Sequence, residues 1–470
     1  MAFLTLQVDG GFTYQPDPDF TGTDSFSYLA NDGSLDSNTV ATVTIQVDPT
    51  NGTNVPPVAN DQRLTVADDS FKTIELEYSD SDGPGAFTST ILQHPENGTL
   101  SLIDGIDTFS YIADEGFNGV DSFTFQINDG LADSNIATVQ LNVQHFPATS
   151  WENQSPALHG LDAAKLQEFA DSVGGRGTII KNGYVVKTWG NQAQKSDWAS
   201  AGKPMLGTLL FFAIQEGLIN DANDLVNDTV AQAVGIPLIQ KDLTMTYSDL
   251  ANMVSGYSRG EDPGQAFAYN DFAIRLYGLI LEELFSSSLN AAAQSRLGML
   301  QFQDGSLFSS RQGLGIATSI RDYARLGWFW LNRGNWNGQQ VLEESLFDEY
   351  MKAQVPVSLP RTTQSGTDYL SIGSYGGPTD QIQYGPGIYG MNWWFNGGID
   401  SQGTLAWPDA PLDTIQANGH FGEEMVVIIP TLNMVVSNIG DWGSFEPGNP
   451  SSGINANLKL FVEAHTVNSN

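Results

Sequence analysis

Ser200-Ala201-Gly202-Lys203 is the stretch on which the interpretation of this sequence depends. It contains the only serine that stands three residues before a lysine, and it opens an apolar segment, Met205–Ile214. Pro204 suits the first turn of a helix, where its missing N–H is not needed. Residues three apart lie on one helical face, so Lys203 Nζ is predicted to reach Ser200 Oγ. A buried, neutral amine could then take the hydroxyl proton, and N–H groups at the helix start could stabilise an oxyanion.

Composition excludes several classes of function. The 470 residues include 19 Lys+Arg and 54 Asp+Glu, a net charge of −35, which disfavours binding to nucleic acid or to an anionic membrane surface. Cysteine is absent, so disulfides, thiolate nucleophiles and Cys-ligated metals are excluded. The longest apolar run is too short to span a bilayer. At 40% hydrophobic residues, the chain can bury several cores, and two or three domains are expected.

The N-terminal third contains a repeat. Phe20-Thr21-Gly22-Thr23-Asp24-Ser25-Phe26 recurs 97 residues later as Phe117-Asn118-Gly119-Val120-Asp121-Ser122-Phe123, and Asn31-Asp32-Gly33 recurs as Asn128-Asp129-Gly130. Polar and apolar residues alternate between Asn-Asp-Gly turns, which predicts antiparallel strands and a β-sandwich.

The repeat sets the predicted domain boundaries. Residues 1–48 form a partial repeat, 49–57 a linker rich in Pro, Asn and Gly, and 58–145 a second repeat. The first copy lacks the leading half of the second, so Met1 is expected to be a start inside a longer parent chain. In residues 148–470, helical periodicity over 162–173, 204–217, 272–284 and 319–332 mixes with strand-like 177–189 and 425–439. This mixture predicts a separate α/β or α+β domain.

On the F-x-G-x-D-S-F stretch followed by N-D-G, the repeats resemble cadherin-like and bacterial immunoglobulin-like modules. The resemblance implies a secreted or cell-surface bacterial protein that attaches to a cell surface or matrix through the repeats. Such modules often bind calcium, and Asp80 and Asp82 offer alternating oxygen ligands for it. The alternative is that these residues are solvated turn formers.

The C-terminal domain resembles the serine β-lactamase and penicillin-binding-protein superfamily. The S-x-x-K stretch, the strand-like residues 178–186 before it, and segments 315–327 and 331–338 carry the resemblance. It is nearest the class C-like branch with the family VIII carboxylesterases and 6-aminohexanoate-oligomer hydrolases. The resemblance implies an antiparallel sheet flanked by helices, an all-helical subdomain, and acyl transfer through Ser200 without a cofactor.

The family's second motif, Y-x-N, matches Tyr269-Asn270-Asp271, with aspartate in place of asparagine. Tyr269 would share proton transfer with Lys203. Asp271 could accept a hydrogen bond from Lys203, but its charge favours the ammonium form, which leaves open whether Lys203 or Tyr269 is the base. A second match at Tyr247-Ser248-Asp249 falls at a predicted helix start.

The third motif, K-T-G or H-x-G, matches His420-Phe421-Gly422 before a strand. His420 would position the substrate or assist the leaving group, Gly422 would let the backbone approach it, and the Glu423 N–H would be the second oxyanion donor. The alternative for His420 is a structural turn histidine.

A formal G-x-S-x-G centred on Ser258 competes as a nucleophile site, but no strand is predicted before it, so a loop is expected. The five histidines show no spacing typical of a catalytic metal site.

Charge also bears on the substrate. Glu423 and Glu424 stand where family members that bind carboxylates carry cationic or hydroxyl groups, so β-lactams and D-Ala-D-Ala peptides are disfavoured. Trp393 and Trp394 are candidate pocket walls or core aromatics. The leading hypothesis is a secreted carboxylesterase acting on small neutral esters. One alternative is an amidase or peptidase acting on short amino-acid-derived oligomers, and another is a catalytically inactive adhesion protein.

Overall fold

The computed structural model describes residues 2–6, 11–17, 20, 22–31, 35, 37, 39–47, 54–82, 86–305, 314–375 and 384–465. Part of the first N-D-G turn (Asp32 and Gly33) and residues 49–53 of the predicted linker lie outside this set. The described chain forms two β-modules followed by an α/β domain, which confirms the predicted fold class.

Antiparallel pairs predominate in both N-terminal modules, but in the second module β6 pairs with β13 in parallel, which departs from the predicted all-antiparallel arrangement. The first contains the pairs β1–β2 and β3–β4, and the second contains a three-stranded sheet (β10-β11-β7), a four-stranded sheet (β6-β13-β12-β9) and the short pair β5–β8. The strands are β1 Phe3–Leu6, β2 Phe12–Gln15, β3 Gly22–Tyr28, β4 Ala41–Val47, β5 Val58–Ala59, β6 Gln62–Ala67, β7 Phe71–Glu75, β8 Tyr78–Ser79, β9 Thr88–Gln93, β10 Gly98–Asp104, β11 Thr108–Ala113, β12 Gly119–Asn128 and β13 Ala137–Gln144.

The repeated aspartate makes two hydrogen bonds that are shared by both modules. Asp121 accepts from Tyr111 Oη at 2.9 Å and from the Ser122 N–H at 2.8 Å. Asp24 accepts from Tyr14 Oη at 2.5 Å and from the N–H of the following serine at 2.8 Å. Asp121 is buried, and it also caps the backbone N–H groups of residues 96 and 97, both at 3.0 Å. The aspartate of F-x-G-x-D-S-F therefore links β12 to β11 in the second module and β3 to β2 in the first.

A seven-stranded antiparallel sheet, ordered β15-β14-β24-β23-β22-β21-β20, forms the centre of the α/β domain. Its strands are β14 Arg176–Lys181, β15 Tyr184–Trp189, β20 Tyr389–Gly390, β21 Trp393–Phe395, β22 Ile415–Gly419, β23 Glu424–Ile429 and β24 Met434–Ile439. The short pairs are β16 Ser196–Asp197 with β17 Ala317–Thr318, and β18 Asn335–Trp336 with β19 Gln339–Gln340.

Helices pack on both faces of this sheet and form a helical region beside it. They are α1 Ala163–Val173, α2 Pro204–Gln215, α3 Asn227–Val234, α4 Tyr247–Ala251, α5 Asp271–Phe285, α6 Leu289–Leu297, α7 Ile320–Leu331, α8 Glu344–Tyr350 and α9 Gly453–Glu463. The four predicted helices appear within two residues of their predicted ends. No helix of the described residues is both long enough and apolar enough to cross a bilayer.

Two neighbouring residues of β24 show which helix covers which face. Successive side chains of a strand point to opposite faces. Ser437 Oγ donates to the carbonyl of Ile320 in α7 at 3.0 Å, whereas Asn438 Nδ2 donates to the carbonyl of Gly174, which follows α1, at 3.3 Å. Thus α7 lies on one face of the sheet, and α1 lies on the other.

The second module packs directly against the α/β domain. His145 stacks on Tyr184 with ring centroids 4.0 Å apart, and its Nδ1 lies 3.1 Å from Asp68 Oδ2. Gly183 has φ 85°, and a Cβ there would lie 2.1 Å from the His145 carbonyl oxygen. Only glycine therefore permits this approach.

We expect Asp121→Ala to lower the free energy of unfolding of the second module by about 3 kcal/mol or more, because it leaves a buried phenol and three N–H groups without their acceptor. Differential scanning calorimetry would measure the loss. The matched substitution Asp24→Ala should leave that transition unchanged, and equal destabilisation by both would contradict the structural role given to Asp121.

Candidate active site

Ser200 and Lys203 lie in a tight turn that leads into α2. A 3-10 helix spans Ala199–Gly202, and α2 begins directly after Lys203. Side chains three residues apart in a 3-10 helix lie above one another. Lys203 Nζ is 2.8 Å from Ser200 Oγ, the contact that the S-x-x-K spacing predicts. The prediction of a regular helix through Ser200 was inexact, because Ala199 takes a left-handed conformation (φ 46°) just before it.

Three aromatic side chains hold this turn through backbone carbonyls. Tyr323 Oη donates to the carbonyl of Ala201, and Tyr375 Oη donates to that of Ala199 at 2.8 Å. The indole N–H of Trp198 donates at 3.0 Å to the carbonyl of the last residue of β17. The carbonyls of the turn are thereby occupied, and the Ser200 side chain is left half-buried at the surface of the domain.

Lys203 Nζ contacts three oxygen atoms. Besides Ser200 Oγ, it lies 3.2 Å from Tyr269 Oη and 3.1 Å from Asp271 Oδ1. The lysine is 1% exposed. The contacts with Ser200 and Tyr269 are hydrogen bonds, and the contact with Asp271 is an ion pair.

The start of α5 delivers two of these oxygens. Asn270 caps the helix by accepting from the Phe272 N–H at 3.0 Å, and its Nδ2 donates to the Tyr257 carbonyl at 2.5 Å. The cap places Tyr269 just outside the helix and Asp271 in its first turn. The middle residue of the Y-x-N-like motif is therefore structural, and its flanking residues reach the lysine.

The surroundings of the site favour the protonated form of Tyr269. Burial, and after it the charge of Asp271, raises the pKa of Tyr269 well above its ordinary value. Lys203 Nζ lies 4.6 Å from the ring centroid of Tyr269 and 4.7 Å from that of Tyr375, and it pairs with Asp271. Tyr269 must therefore lose its proton before it can act as a base toward Ser200.

Trp393 and Trp394 point to opposite faces of β21. Trp393 is fully buried against Phe211 and Trp330, with ring centroids 5.9 and 5.5 Å away, so it is a core residue and the pocket-wall interpretation was wrong for it. Trp394 stacks on Tyr269 with centroids 5.9 Å apart. Trp394 therefore packs against the ring of Tyr269 and holds it in place.

His420 lies in the turn between β22 and β23. The last residue of β22, Gly419, abuts the turn of Ser200, since a Cβ on it would lie 2.7 Å from the Trp198 carbonyl oxygen. The imidazole is half-exposed, and its Nδ1 lies 3.1 Å from Glu424 Oε2. Burial raises the pKa of Glu424, and the neighbouring His420 opposes that rise. The structure thus places the third motif beside the Ser200 turn, with its histidine held by a glutamate.

The predicted oxyanion role of Glu423 does not match this geometry. Its N–H donates to the Gly419 carbonyl at 3.1 Å, as does the Gly422 N–H at 3.0 Å. Positive φ angles at His420 (39°), Phe421 (60°) and Gly422 (130°) curl the chain and turn both groups inward. Donation from Glu423 to a substrate would require this turn to open.

The competing motifs lie in other environments. Ser258 is buried in a turn after α4 with φ 57°, and no strand precedes it, as a nucleophile elbow requires. Tyr247 lies in α4, and its hydroxyl is 2.7 Å from Thr229 Oγ1. Neither approaches the arrangement around Lys203.

The candidate calcium ligands form a small acidic group with internal hydrogen bonds. Asp82 Oδ2 accepts from the Val55 N–H at 2.9 Å, and Asp80 Oδ1 accepts from the Asp82 N–H at 3.3 Å. The side-chain hydrogen bond to the Asp82 carboxylate raises the pKa of Asp80, whereas the bond from the Asp82 N–H opposes the rise. These bonds are those of a turn, and calcium binding stays a prediction.

Sequence reasoning missed Tyr375 and Tyr323. Tyr375 anchors Ala199, and its N–H donates to the Asp271 carbonyl at 3.0 Å, so it joins two motifs. Tyr323 lies in segment 315–327, which was singled out only for resemblance. Neither carries a local signal, because each acts through a backbone carbonyl that is remote in sequence.

The N-terminal modules match a known domain family. Residues 3–46 and 54–142 fit the model of the bacterial Ig domain. The repeats are bacterial Ig-like modules. An uncharacterised protein of Alkalihalophilus pseudofirmus is 23% identical over 237 residues, which is 42% of this chain and 70% of that protein.

Among solved structures, a putative β-lactamase from Bacteroides dorei is 15% identical with a TM-score of 0.47, covering 65% of this chain and 100% of its own. A β-lactamase/D-alanine carboxypeptidase from Yersinia pestis is 13% identical with a TM-score of 0.46, covering 66% and 100%. The α/β domain itself has an antiparallel sheet, flanking helices and an adjoining helical region. This degree of likeness says nothing about chemistry, which rests on the side chains around Lys203.

We expect Asp271→Asn to move the acidic limb of the pH–rate profile for ester hydrolysis to lower pH. The substitution removes a negative charge that helps to raise the pKa of Tyr269, so the phenol can lose its proton and accept one from Ser200 at lower pH. Initial rates between pH 5 and pH 10 would measure the shift. Glu115→Gln, the same charge change in the second module, is the control, and an unmoved limb would show that Asp271 does not influence the base.

Proposed function

We propose that the α/β domain is a serine hydrolase that works through an acyl-enzyme, most simply a carboxylesterase acting on small neutral esters. The observation that carries this proposal is the position of Lys203 Nζ, within 2.8 Å of Ser200 Oγ and 3.2 Å of Tyr269 Oη. A nucleophile needs a base within hydrogen-bond reach, and the base needs an orienting partner. Ser200, Lys203 and Tyr269 meet both requirements, with Ser200 half-buried and the other two buried.

The mechanism follows from these contacts. Once the Lys203–Tyr269 pair has lost a proton, it accepts the Ser200 hydroxyl proton as Oγ attacks the ester carbonyl carbon. The pair then returns this proton to the leaving alkoxide, and the acyl group stays on Ser200. In the second half, water gives a proton to the same pair as its oxygen attacks the acyl carbon. The pair then passes this proton to Ser200 Oγ as the bond between Oγ and the acyl carbon breaks, which frees the acid and restores the serine. His420, beside the turn, would position the substrate or assist the leaving group.

Oxyanion stabilisation falls first to the Ser200 N–H. Within the described part of the chain no hydrogen-bond acceptor is found for it, and it stands at the start of a helical turn. Since the N–H of Glu423 is engaged, the second donor would become available only when substrate rearranges the 420–423 turn.

Acidic side chains near the site support substrates without a carboxylate. Glu423 and Glu424 flank His420, and Asp271 reaches into the lysine site. Like charges across an interface weaken binding, so anionic substrates such as β-lactams are disfavoured. The same charge favours the second candidate, an amidase or peptidase acting on short amino-acid-derived oligomers with a free ammonium end.

The location proposed for the protein is extracellular or at the cell surface of a bacterium. The bacterial Ig-like modules support this, because such modules are arrayed outside cells and can attach a catalytic domain to a surface or matrix. The proposed partner of the catalytic domain is a small ester or amide.

Ser200→Ala is expected to reduce hydrolysis of p-nitrophenyl acetate and butyrate by about a thousandfold or more, because it removes the attacking atom. Ser258→Ala should retain wild-type rates. The reverse result would transfer the nucleophile to Ser258. In the same assay, D-amino-acid amides, 6-aminohexanoate dimer and nitrocefin would rank the substrate classes, with nitrocefin slowest.

A fluorophosphonate probe separates this enzyme from an inactive adhesion protein. Native protein should be labelled at Ser200, located by mass spectrometry, and the label should be absent from Ser200→Ala. Complete absence of serine labelling across pH 7–10 would favour an adhesion protein whose hydrolase-like domain has no activity.

A further inference from the structure

The turn after β22, together with the first residue of β23, brings together three side chains that are able to bind a metal ion: His420, Glu423 and Glu424. His420 Nδ1 lies 3.1 Å from Glu424 Oε2 and 3.8 Å from Glu423 Oε2. One ligand atom from each residue can be chosen so that all three lie within 4.8 Å of one another. No other group of three His, Asp or Glu side chains in the described ranges meets this condition.

These distances suit a tetrahedral ion. Zinc binds imidazole nitrogen and carboxylate oxygen at about 2.0–2.2 Å, so neighbouring ligand atoms in a tetrahedron are about 3.3 Å apart. The two measured separations, 3.1 and 3.8 Å, bracket that value. The Glu424 side chain is 10% exposed and held by packing, whereas the His420 and Glu423 side chains are 52% and 66% exposed. One ligand is therefore fixed in place, and the other two are accessible and can adjust.

We propose that this turn binds a divalent transition-metal ion of the Zn²⁺ class through His420 Nδ1 and the carboxylates of Glu423 and Glu424. Imidazole favours zinc and its neighbours over calcium and magnesium, which prefer oxygen ligands alone. Three protein ligands leave the fourth position to water or to an atom of a bound molecule. Nothing in the proposed hydrolytic mechanism requires this ion.

An ion at this position would change the charge beside the Ser200 turn. The two glutamates contribute two negative charges there, and a divalent ion would cancel them. A consequence, which rests on the proposed function, is that zinc loading weakens the discrimination against anionic substrates.

Isothermal titration of Zn²⁺ into the full 470-residue chain tests the site. His420→Ala and Glu424→Gln should each weaken one binding site at least about tenfold. Their matched controls are His94→Ala, an exposed histidine of the second module, and Glu446→Gln, an exposed glutamate outside the group; both should stay within about twofold of wild type. Calcium should not compete for the site.

The outcomes separate this site from the hydrolase. Co²⁺ bound to wild type should show the visible absorption of a tetrahedral ion, and the band should be lost in Glu424→Gln. Ser200→Ala should bind zinc as wild type does, so a failed esterase assay leaves the metal site standing. Zinc binding that is equal in wild type, His420→Ala and Glu424→Gln, or absent from all three, would overturn the proposal. Circular dichroism melting would show that each variant is folded.

Discussion

The buried amine of Lys203 constrains the structure of the site more than any other group does. Lys203 Nζ lies among Ser200 Oγ, Tyr269 Oη and Asp271 Oδ1, and an amine so removed from water is tolerated only when it is paired and hydrogen-bonded. Each of the three partners comes from a segment that other contacts hold in place. The 3-10 turn sets Ser200, and the start of α5 sets the other two. The contacts proposed to serve catalysis are thus the same contacts that allow the Lys203 amine to be buried.

Asp271 gives this arrangement its particular character. A neutral amide at this position could contact the lysine without adding charge, whereas the Asp271 carboxylate adds a negative charge that helps to raise the pKa of the Tyr269 phenol. The group that pairs with Lys203 therefore also makes Tyr269 harder to deprotonate. The acidic turn around His420 adds to the same electrostatic setting, in which cations are favoured over anions.

The features of the fold and of the site that depend on local sequence patterns could be predicted from the sequence. The S-x-x-K spacing predicted the contact between Lys203 and Ser200, and alternation predicted the strands that the repeated aspartates tie together. Contacts made through the backbone could not be predicted. The inward turn of the Glu423 N–H depends on three consecutive positive φ angles, and the anchoring by Tyr375 depends on a carbonyl 176 positions away. Trp393 and Trp394 are adjacent tryptophans, and the sequence does not show which face of β21 each one occupies. In the structure Trp393 packs against Phe211 and Trp330, and Trp394 stacks on Tyr269.

The close approach of Gly183 to the His145 carbonyl bears on how such chains can be recombined. An α/β domain cut out at residue 148 would lose the His145 ring that stacks on Tyr184 and would expose that tyrosine to water. An unrelated module in place of the second Ig-like module would have to cover the same surface. The second Ig-like module and the α/β domain therefore form one unit for recombination, and a cut between domains belongs before the second module.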